Sequence, residues 1–570
     1  MPATALFPPP ARQFLPEGCH ADDLSRLEQL FGDLLQREMT TAAALERFLV
    51  VQSELLSLVA AEGARRYIAM TCNTEDQDLK ERYLWFEREV TPRVKTWQDR
   101  LDKALLAAPG RAQLGPRYQV LLRARECVAG IFRPANTALE SRCAELATRY
   151  GAILGGMTVS FRGEERTLQQ MSLFLEDNDR GLRESAWRAA ADRRARDRGA
   201  ITEVFDELLR LRHQIAHNAD CPSYVDYRFR ELCRFDYTPA DCFGFHRAVE
   251  ECVIPALAEL DARRKRTLGL TTLRPWDLDV DLDGAPPVRP FRTEAELLGL
   301  TRRLFAAVDP RFRAEFAVLE ERGMLDLMSR KGKRPGGYQY TLEDVRLPFI
   351  FANSAGKHDD VQTLLHEGGH AFHALLSRDE ALLQYRDVPL EFAEVASMGM
   401  ELLALEHLDQ VYTATDTRVA RRGHFEGILR ILPWIASIDA FQHWLYSHPR
   451  HSHAERTAAW VGIRKRFAPT LDWSGLEDHL AHAWQAQTHL FGHPLYYIEY
   501  GIAQIGALQV WRNYRRDRTT AVRQYRNALA LGGSRPLPEL FAAAGLRFAM
   551  DRGILTELVA ELRAELTAGS

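Results

Sequence analysis

No stretch of the 570-residue chain strings together about 18 apolar residues without a charge, so a membrane-spanning helix is not expected. The opening MPATALFPPPARQFLPEGCH sets three consecutive prolines where a secretory leader needs an uninterrupted apolar segment. A cytoplasmic, unanchored protein is the expectation. Cysteine is sparse and one-sided: all eight precede residue 253 and none forms a CxxC pair. That pattern suits reduced thiols and excludes a thiol nucleophile in the second half of the chain. There is no basic excess either. Lys and Arg number 74 against 78 Asp and Glu, a net charge of -4 with no basic tail, so no nucleic-acid partner is indicated. Repeats of fixed period are also missing. What remains is an ordinary globular composition, 46% hydrophobic and 27% charged. The length suits three or four folding units of about 150 residues, or fewer large ones.

From about Ala21 to Arg149 helix formers dominate, and apolar residues recur at three and four, as in Leu27, Leu30, Phe31, Leu34 and Leu35. This reads as a helical lobe. YGAILGGMTVSF (150–161) shifts to glycine and β-branched residues, which predicts a short strand or hairpin before helix resumes near Thr167. The stretch Thr271 to Arg292, containing LRPWDLDVDLDGAPPVRP, reads as a long surface loop, and KGKRPGGYQY (331–340) as a loop or tight turn. LPFIFA (347–352) reads as a short strand, followed by almost unbroken helix. The expected fold class is therefore mainly α with a small β element. We divide the chain into a tail (1–20), an N-terminal helical lobe (21–205) and a larger second domain (206–570), the lobe boundary falling within 150–205.

Histidine marks where the chemistry lies, since 14 of the 18 histidines fall between His358 and His493. Within VQTLLHEGGHAFHALL (361–376), His366, Glu367 and His370 form an HExxH pattern. Four residues turn a helix by about 400°, so both imidazoles project from one face and can grip one ion. Glu367, rotated by about 100° from His366, leans beside the metal at the position of a general base. The opposite stripe, Val361, Leu364, Leu365, Gly368, Phe372 and Leu375, has the spacing that docks a helix on a core. The chain carries two further histidine pairs at this spacing, 213/217 and 489/493, but only 366/370 encloses a Glu in the second position. His213 and His217 are read as structural or surface residues.

A catalytic zinc needs a third protein ligand and an open position. The metzincin layout fails because position 376 is Leu, and His373 cannot join its neighbours around one ion on a straight helix. The remaining candidates are Glu391, Glu394 and Glu401 in DVPLEFAEVASMGMELLALEHL (387–408), whose flanking Phe392, Ala393, Val395, Ala396, Met398 and Met400 read as buried. Carboxylates amid such neighbours are better explained by ligation than by a solvated face.

With these residues assembled, the chain resembles the M3 family of zinc metallopeptidases, and within it the oligoendopeptidase F group, over roughly residues 120 to 560. The motifs that carry the likeness are HExGH at 366–370, FxExxS at Phe392, Glu394 and Ser397, GKRxGxY from Gly332 to Tyr338, and the tyrosine cluster HPLYYIEYG after His489. The resemblance implies a large two-lobed helical, zincin-like metallopeptidase with a deep substrate cleft that admits flexible peptides. It implies one Zn2+ held by His366, His370 and Glu394, with Glu391 orienting a ligand histidine. Two departures stand out: Gly368 replaces a bulky residue, placing adjacent glycines in the zinc helix, and Ala396 replaces a proline.

The implied reaction is attack of a metal-activated water on a peptide carbonyl, with Glu367 taking the proton and delivering it to the leaving amine. The developing oxyanion needs another donor. Tyr500 is favoured, then His489, with Tyr497 sharing a helix face with Tyr500; His493 and Tyr496 remain candidates, and packing is the competing role for each. The glycines of KGKRPGGYQY could let backbone approach a bound peptide, and LPFIFA could offer a sheet edge to it. The expected function is thus a zinc endopeptidase acting on short oligopeptides. The alternatives are a dipeptidyl carboxypeptidase of the same family or a non-catalytic peptide-binding protein on this fold. An aminopeptidase is disfavoured, because no GxMEN-like segment precedes the motif.

Overall fold

The computed structural model describes residues 7–330, 332–334 and 336–568. Lys331 and Pro335 of the KGKRPGGYQY segment, and the first six residues of the expected tail, lie outside the described residues. The described chain is mainly helical, as expected, with five strands among the described residues.

The strands form two small sheets. β1 (Thr158–Phe161) and β2 (Glu164–Thr167) make the antiparallel hairpin predicted from the glycine-rich, β-branched stretch. Arg162 and Gly163 turn it with φ of 53° and 81°. Helix runs further than expected here, because Tyr150 to Gly155 still belong to the helix Pro134–Gly155. The second sheet has β3 (Leu325–Met328), β4 (Tyr338–Leu342) and β5 (Leu347–Ser354) in the order β3-β5-β4, with β3 parallel and β4 antiparallel to β5. The LPFIFA strand is therefore central. Both of its edges are already hydrogen-bonded, which removes it as the place where another strand could add and leaves β3 and β4 as the outer strands.

The chain folds into two compact units. One comprises Met1–Pro134, Arg289–Tyr412 and Gly506–Phe548; the other comprises Ala135–Val288, Thr413–Ile505 and Ala549–Ser570. Each unit gathers three separated stretches, so this division differs from the contiguous 21–205 and 206–570 boundaries. Sequence texture shows where helices lie but not which late segments return to pack on early ones.

Two other segments are more firmly held than their composition suggests. Gln13, Phe14 and Leu15 donate their backbone N–H groups to the Glu54 carboxylate at 2.9–3.2 Å, and Leu15 is buried. Part of the expected tail is thus tied to the helix Ala42–Cys72. The expected surface loop at 271–292 buries Trp276 and Asp277 completely or nearly so. Arg180 and Arg183 donate to the Asp277 carboxylate at 2.8 Å and 3.2 Å, which satisfies a charge that burial would otherwise leave costly.

Candidate metal centre

The HExxH helix spans His358–Ser377. Its start is fixed locally, since one Asp360 carboxylate oxygen accepts the backbone N–H groups of Ala355, Gly356 and Lys357 at 2.7–2.9 Å. The predicted apolar stripe is buried throughout, and Phe372 packs against the rings of Phe305 and Phe312 at 4.8 Å and 4.6 Å. The helix Leu390–Leu405 crosses beside it.

The adjacent glycines are what allow this crossing. A Cβ on Gly369 would lie 2.6 Å from both the Ala396 carbonyl oxygen and the Ser397 Cα, so the two helices meet backbone to backbone. A Cβ on Gly368 would collide with the Phe305 ring, which occupies the space a bulky side chain would need. The roughly 1 kcal/mol by which glycine weakens a helix interior is set here against close packing on both sides.

Three of the predicted site residues come together. The donor atoms of His366, His370 and Glu394 all lie within 4.8 Å of one another. One Glu394 oxygen is 3.3 Å from His366 Nε2 and 3.6 Å from His370 Nε2, and the same oxygen accepts the Ser397 hydroxyl at 3.0 Å. Glu394 is buried, whereas the His366 and His370 side chains keep 23% and 18% of their surface exposed, so the cluster is reachable from solvent.

The resemblance implies Glu391 as the residue orienting a ligand histidine; at His366 that partner is Glu401, which accepts from Nδ1 at 2.6 Å. Glu401 lies seven residues, two helical turns, beyond Glu394, which brings both carboxylates to the same histidine. With Nδ1–H given to Glu401, the Nε2 lone pair is left for an ion, the arrangement found for metal-ligating histidines. The donors fit a divalent zinc: two imidazoles and one carboxylate, close enough to share an ion, with the tautomer of one imidazole fixed.

Electrostatics differ sharply among these neighbours. Burial pushes the Glu367 carboxyl up to about 7, reinforced by the nearby Glu394 and Glu401 charges. Burial holds His370 down to about 4. It opposes charge on His366 as well, but hydrogen bonds to Glu394 and Glu401 outweigh it and hold that imidazole well above its ordinary value. Burial would also raise Glu394; the His370 and His366 imidazoles overcome it and bring the carboxylate down to about 2. His373 is a core residue, 2% exposed, its ring against Phe392 at 5.9 Å and its charge suppressed by burial.

The GKRPGGY segment does approach this centre. A Cβ on Gly337 would come within 3.4 Å of a Glu367 carboxylate oxygen. Its lysine is an anchor. Lys333 is buried and donates to the Asp326 carboxylate at 2.8 Å and to the backbone carbonyls of Asp326, Met328 and Ala352 at 2.5–3.0 Å. Tyr338 completes the anchoring, stacked on Phe351 at 4.6 Å and hydrogen-bonded to Thr71 at 2.5 Å.

The proposed oxyanion donors gather in the second unit. His489 Nε2 lies 3.3 Å from the Tyr500 hydroxyl, and its Nδ1 meets the Gln487 amide at 2.7 Å. The Tyr496, Tyr497 and Tyr500 rings surround His489 at 5.1–5.7 Å. Tyr497 is buried at 8% exposure, and burial raises its phenol, which favours a packing role for it. The His493 ring lies tilted beside His489 at 6.2 Å. Of the other histidine pair, His213 meets Tyr446 edge-on at 6.1 Å, and His217 faces solvent, in keeping with structural roles.

A model of peptidase family M3 matches residues 173–560, and one of the M3 peptidase N-terminal domain matches residues 19–124. The chain belongs to peptidase family M3. Among M3 relatives, an oligoendopeptidase F homolog of Lactococcus lactis subsp. lactis (strain IL1403) is 24% identical over 239 residues, 42% of this chain and 38% of that protein. The chromosomal oligoendopeptidase F of Lactococcus lactis subsp. cremoris is 33% identical over 109 residues, 19% of this chain and 18% of that protein. These alignments span less than two fifths of the relatives' length. The structural likeness is broader: Pz peptidase A with an inhibitor superposes with a TM-score of 0.91 at 28% identity, over 97% of this chain and 99% of that one.

Against this M3 background, sequence reading missed the His366–Glu401 pairing and the Phe305 ring that fills the space above Gly368. Phe305 lies 63 residues before Gly368 and carries no local signal of the contact. Glu401 was visible as the third carboxylate on its helix, but its partner was not. No helix among the described residues is long and apolar enough to cross a membrane.

Proposed function

We propose that this chain is a zinc-dependent endopeptidase that hydrolyses internal bonds of short oligopeptides in the cytoplasm. The observation that carries the reading is the convergence of His366, His370 and Glu394 beside a buried Glu367. His366, His370 and Glu394 would hold one Zn2+. When bound, the ion supplies a Lewis acid that polarises the scissile carbonyl and favours ionisation of water.

The chain's own residues supply the rest. Glu401 fixes the His366 ring and its tautomer, and Ser397 fixes the Glu394 carboxylate. Glu367, raised by burial to about 7, is suited to accept a proton from the attacking water and return it to the departing amine nitrogen. The anchored Gly337 backbone limits the space beside Glu367 and is a candidate wall for the substrate. By family resemblance, Tyr500, then His489, are the proposed donors to the developing oxyanion, with the buried Tyr497 last because its surroundings suit packing.

The test is a quenched peptide blocked at both ends, incubated with the purified protein with and without chelator. Internal cleavage that stops with chelator and returns with zinc is the expected result. Cleavage confined to peptides with a free C-terminus would replace endopeptidase by dipeptidyl carboxypeptidase, and no cleavage of either would leave a peptide-binding role.

A further inference from the structure

The second unit contains another cluster of metal-ligating side chains, which the peptidase reading does not use. Cys242 and His246 sit one turn apart on the helix Pro239–Ala248, and Asp439 and His443 sit one turn apart on the helix Ala414–Ser447. The side chains meet where the two helices pack together. We propose that Cys242, Asp439 and His443 form a second, structural zinc site, with His246 as the positioning residue of the carboxylate.

Geometry and burial support this assignment. The donor atoms of Cys242, Asp439 and His443 lie within 4.8 Å of one another, and all three residues are buried, at 0%, 0% and 6% exposure. Bonds of about 2.0–2.3 Å to zinc need donors somewhat closer than that, so binding requires only a small contraction. His246 Nε2 donates to Asp439 Oδ2 at 2.8 Å, which orients the carboxylate.

The hydrogen bonding is incomplete, as a ligand site would be. Asp439 Oδ1 and His443 Nε2 are both buried without a hydrogen-bond partner. His443 Nε2 is 3.4 Å from Asp439 Oδ2, within ion-pair distance. The two atoms without a hydrogen bond lie beside the Cys242 thiol, so a cation held among the three side chains would give each of them a partner.

The chemistry selects the ion. A thiolate and a carboxylate neutralise a dication, so a zinc here leaves no net charge in a buried setting, and the sulfur and imidazole donors favour zinc over magnesium or calcium. Binding forms a Zn–S bond and releases the Cys242 thiol proton to solvent. The cation nearest in kind, Arg234, is engaged by Glu499 at 2.5 Å and by the Leu495 carbonyl at 2.7 Å. Phe243 lies edge-on to His443 at 4.9 Å and is itself 43% exposed, so it marks a short route from solvent. Among the described residues no carboxylate comparable to Glu367 stands in this group, which fits a site that holds two helices together.

Metal analysis of the full-length protein tests the proposal independently of activity. We expect about two zinc ions per chain, falling to about one in His366→Ala and to about one in Cys242→Ser. One zinc in the wild type that disappears in His366→Ala would overturn the second site. One zinc that survives His366→Ala but not Cys242→Ser would uphold it while removing the first. Should Cys242→Ser fail to fold, the cobalt-substituted wild type still decides the matter. A cobalt–thiolate charge-transfer band is expected, because Cys242 is the one sulfur ligand in either cluster, and its absence in a cobalt-loaded protein would reject the site.

Discussion

The two clusters of the molecule are built from the same device and arrive at different environments. Each places a pair of donors one turn apart on a helix and supplies a carboxylate among its ligands. In the first unit the imidazoles retain about a fifth of their surface, and Glu367 is set beside them. In the second unit the donors are nearly dry, a thiol replaces one imidazole, and two buried polar atoms lack partners. An ion with access to substrate and a base can do chemistry; an ion sealed among side chains can only hold them. Exposure and a neighbouring proton acceptor, more than ligand identity, separate the two.

Variants can break this contrast. Glu367→Gln should lower kcat by on the order of 10²–10⁴-fold while zinc content and Tm stay unchanged; steady-state kinetics alongside metal analysis reads both. Full activity in that variant would leave the first cluster no more catalytic than the second. Glu401→Ala should weaken zinc binding at the first cluster by roughly 10–100-fold, measured by competition with a chromogenic chelator, because His366 loses its orienting partner. An unchanged affinity would deny Glu401 the orienting role.

Two smaller effects sharpen the comparison through stability. Gly369→Ala should destabilise the protein by about 1–3 kcal/mol in denaturant unfolding, since the added methyl meets backbone that cannot swing aside. Asp439→Asn should likewise cost about 1–3 kcal/mol, by unsettling the buried imidazole it serves, yet leave kcat/KM unchanged. A loss of turnover in Asp439→Asn at full occupancy of the first site would merge the two regions into one functional system.

How much was legible depended on the range of the contact. His366, Glu367 and His370 were readable because a helix makes neighbours of residues four apart, and sequence carries that period directly. Glu394 was readable as one of three carboxylates on an apolar helix, and family motifs selected it among them. The Cys242–His246 and Asp439–His443 pairs have the same period, but neither is a known motif, and nothing near residue 242 indicates that residue 439 packs against it. The LPFIFA segment was correctly a strand, yet its central place depended on β3 and β4 arriving from either side. The acidic, proline-rich stretch at 271–292 read as surface because its composition is polar, while Arg180 and Arg183 supply the partners that let Asp277 be buried.

The sequence by itself determined the helical character, the HExxH face and the carboxylate beside it, because these follow from residue type and the pitch of one helix. Tertiary structure alone decided that Glu401 holds His366, that Phe305 fills the space over Gly368, and that Cys242, Asp439 and His443 meet between two distant helices. Those outcomes depend on which surfaces pack together, and packing joins residues whose separation along the chain carries no periodic signal.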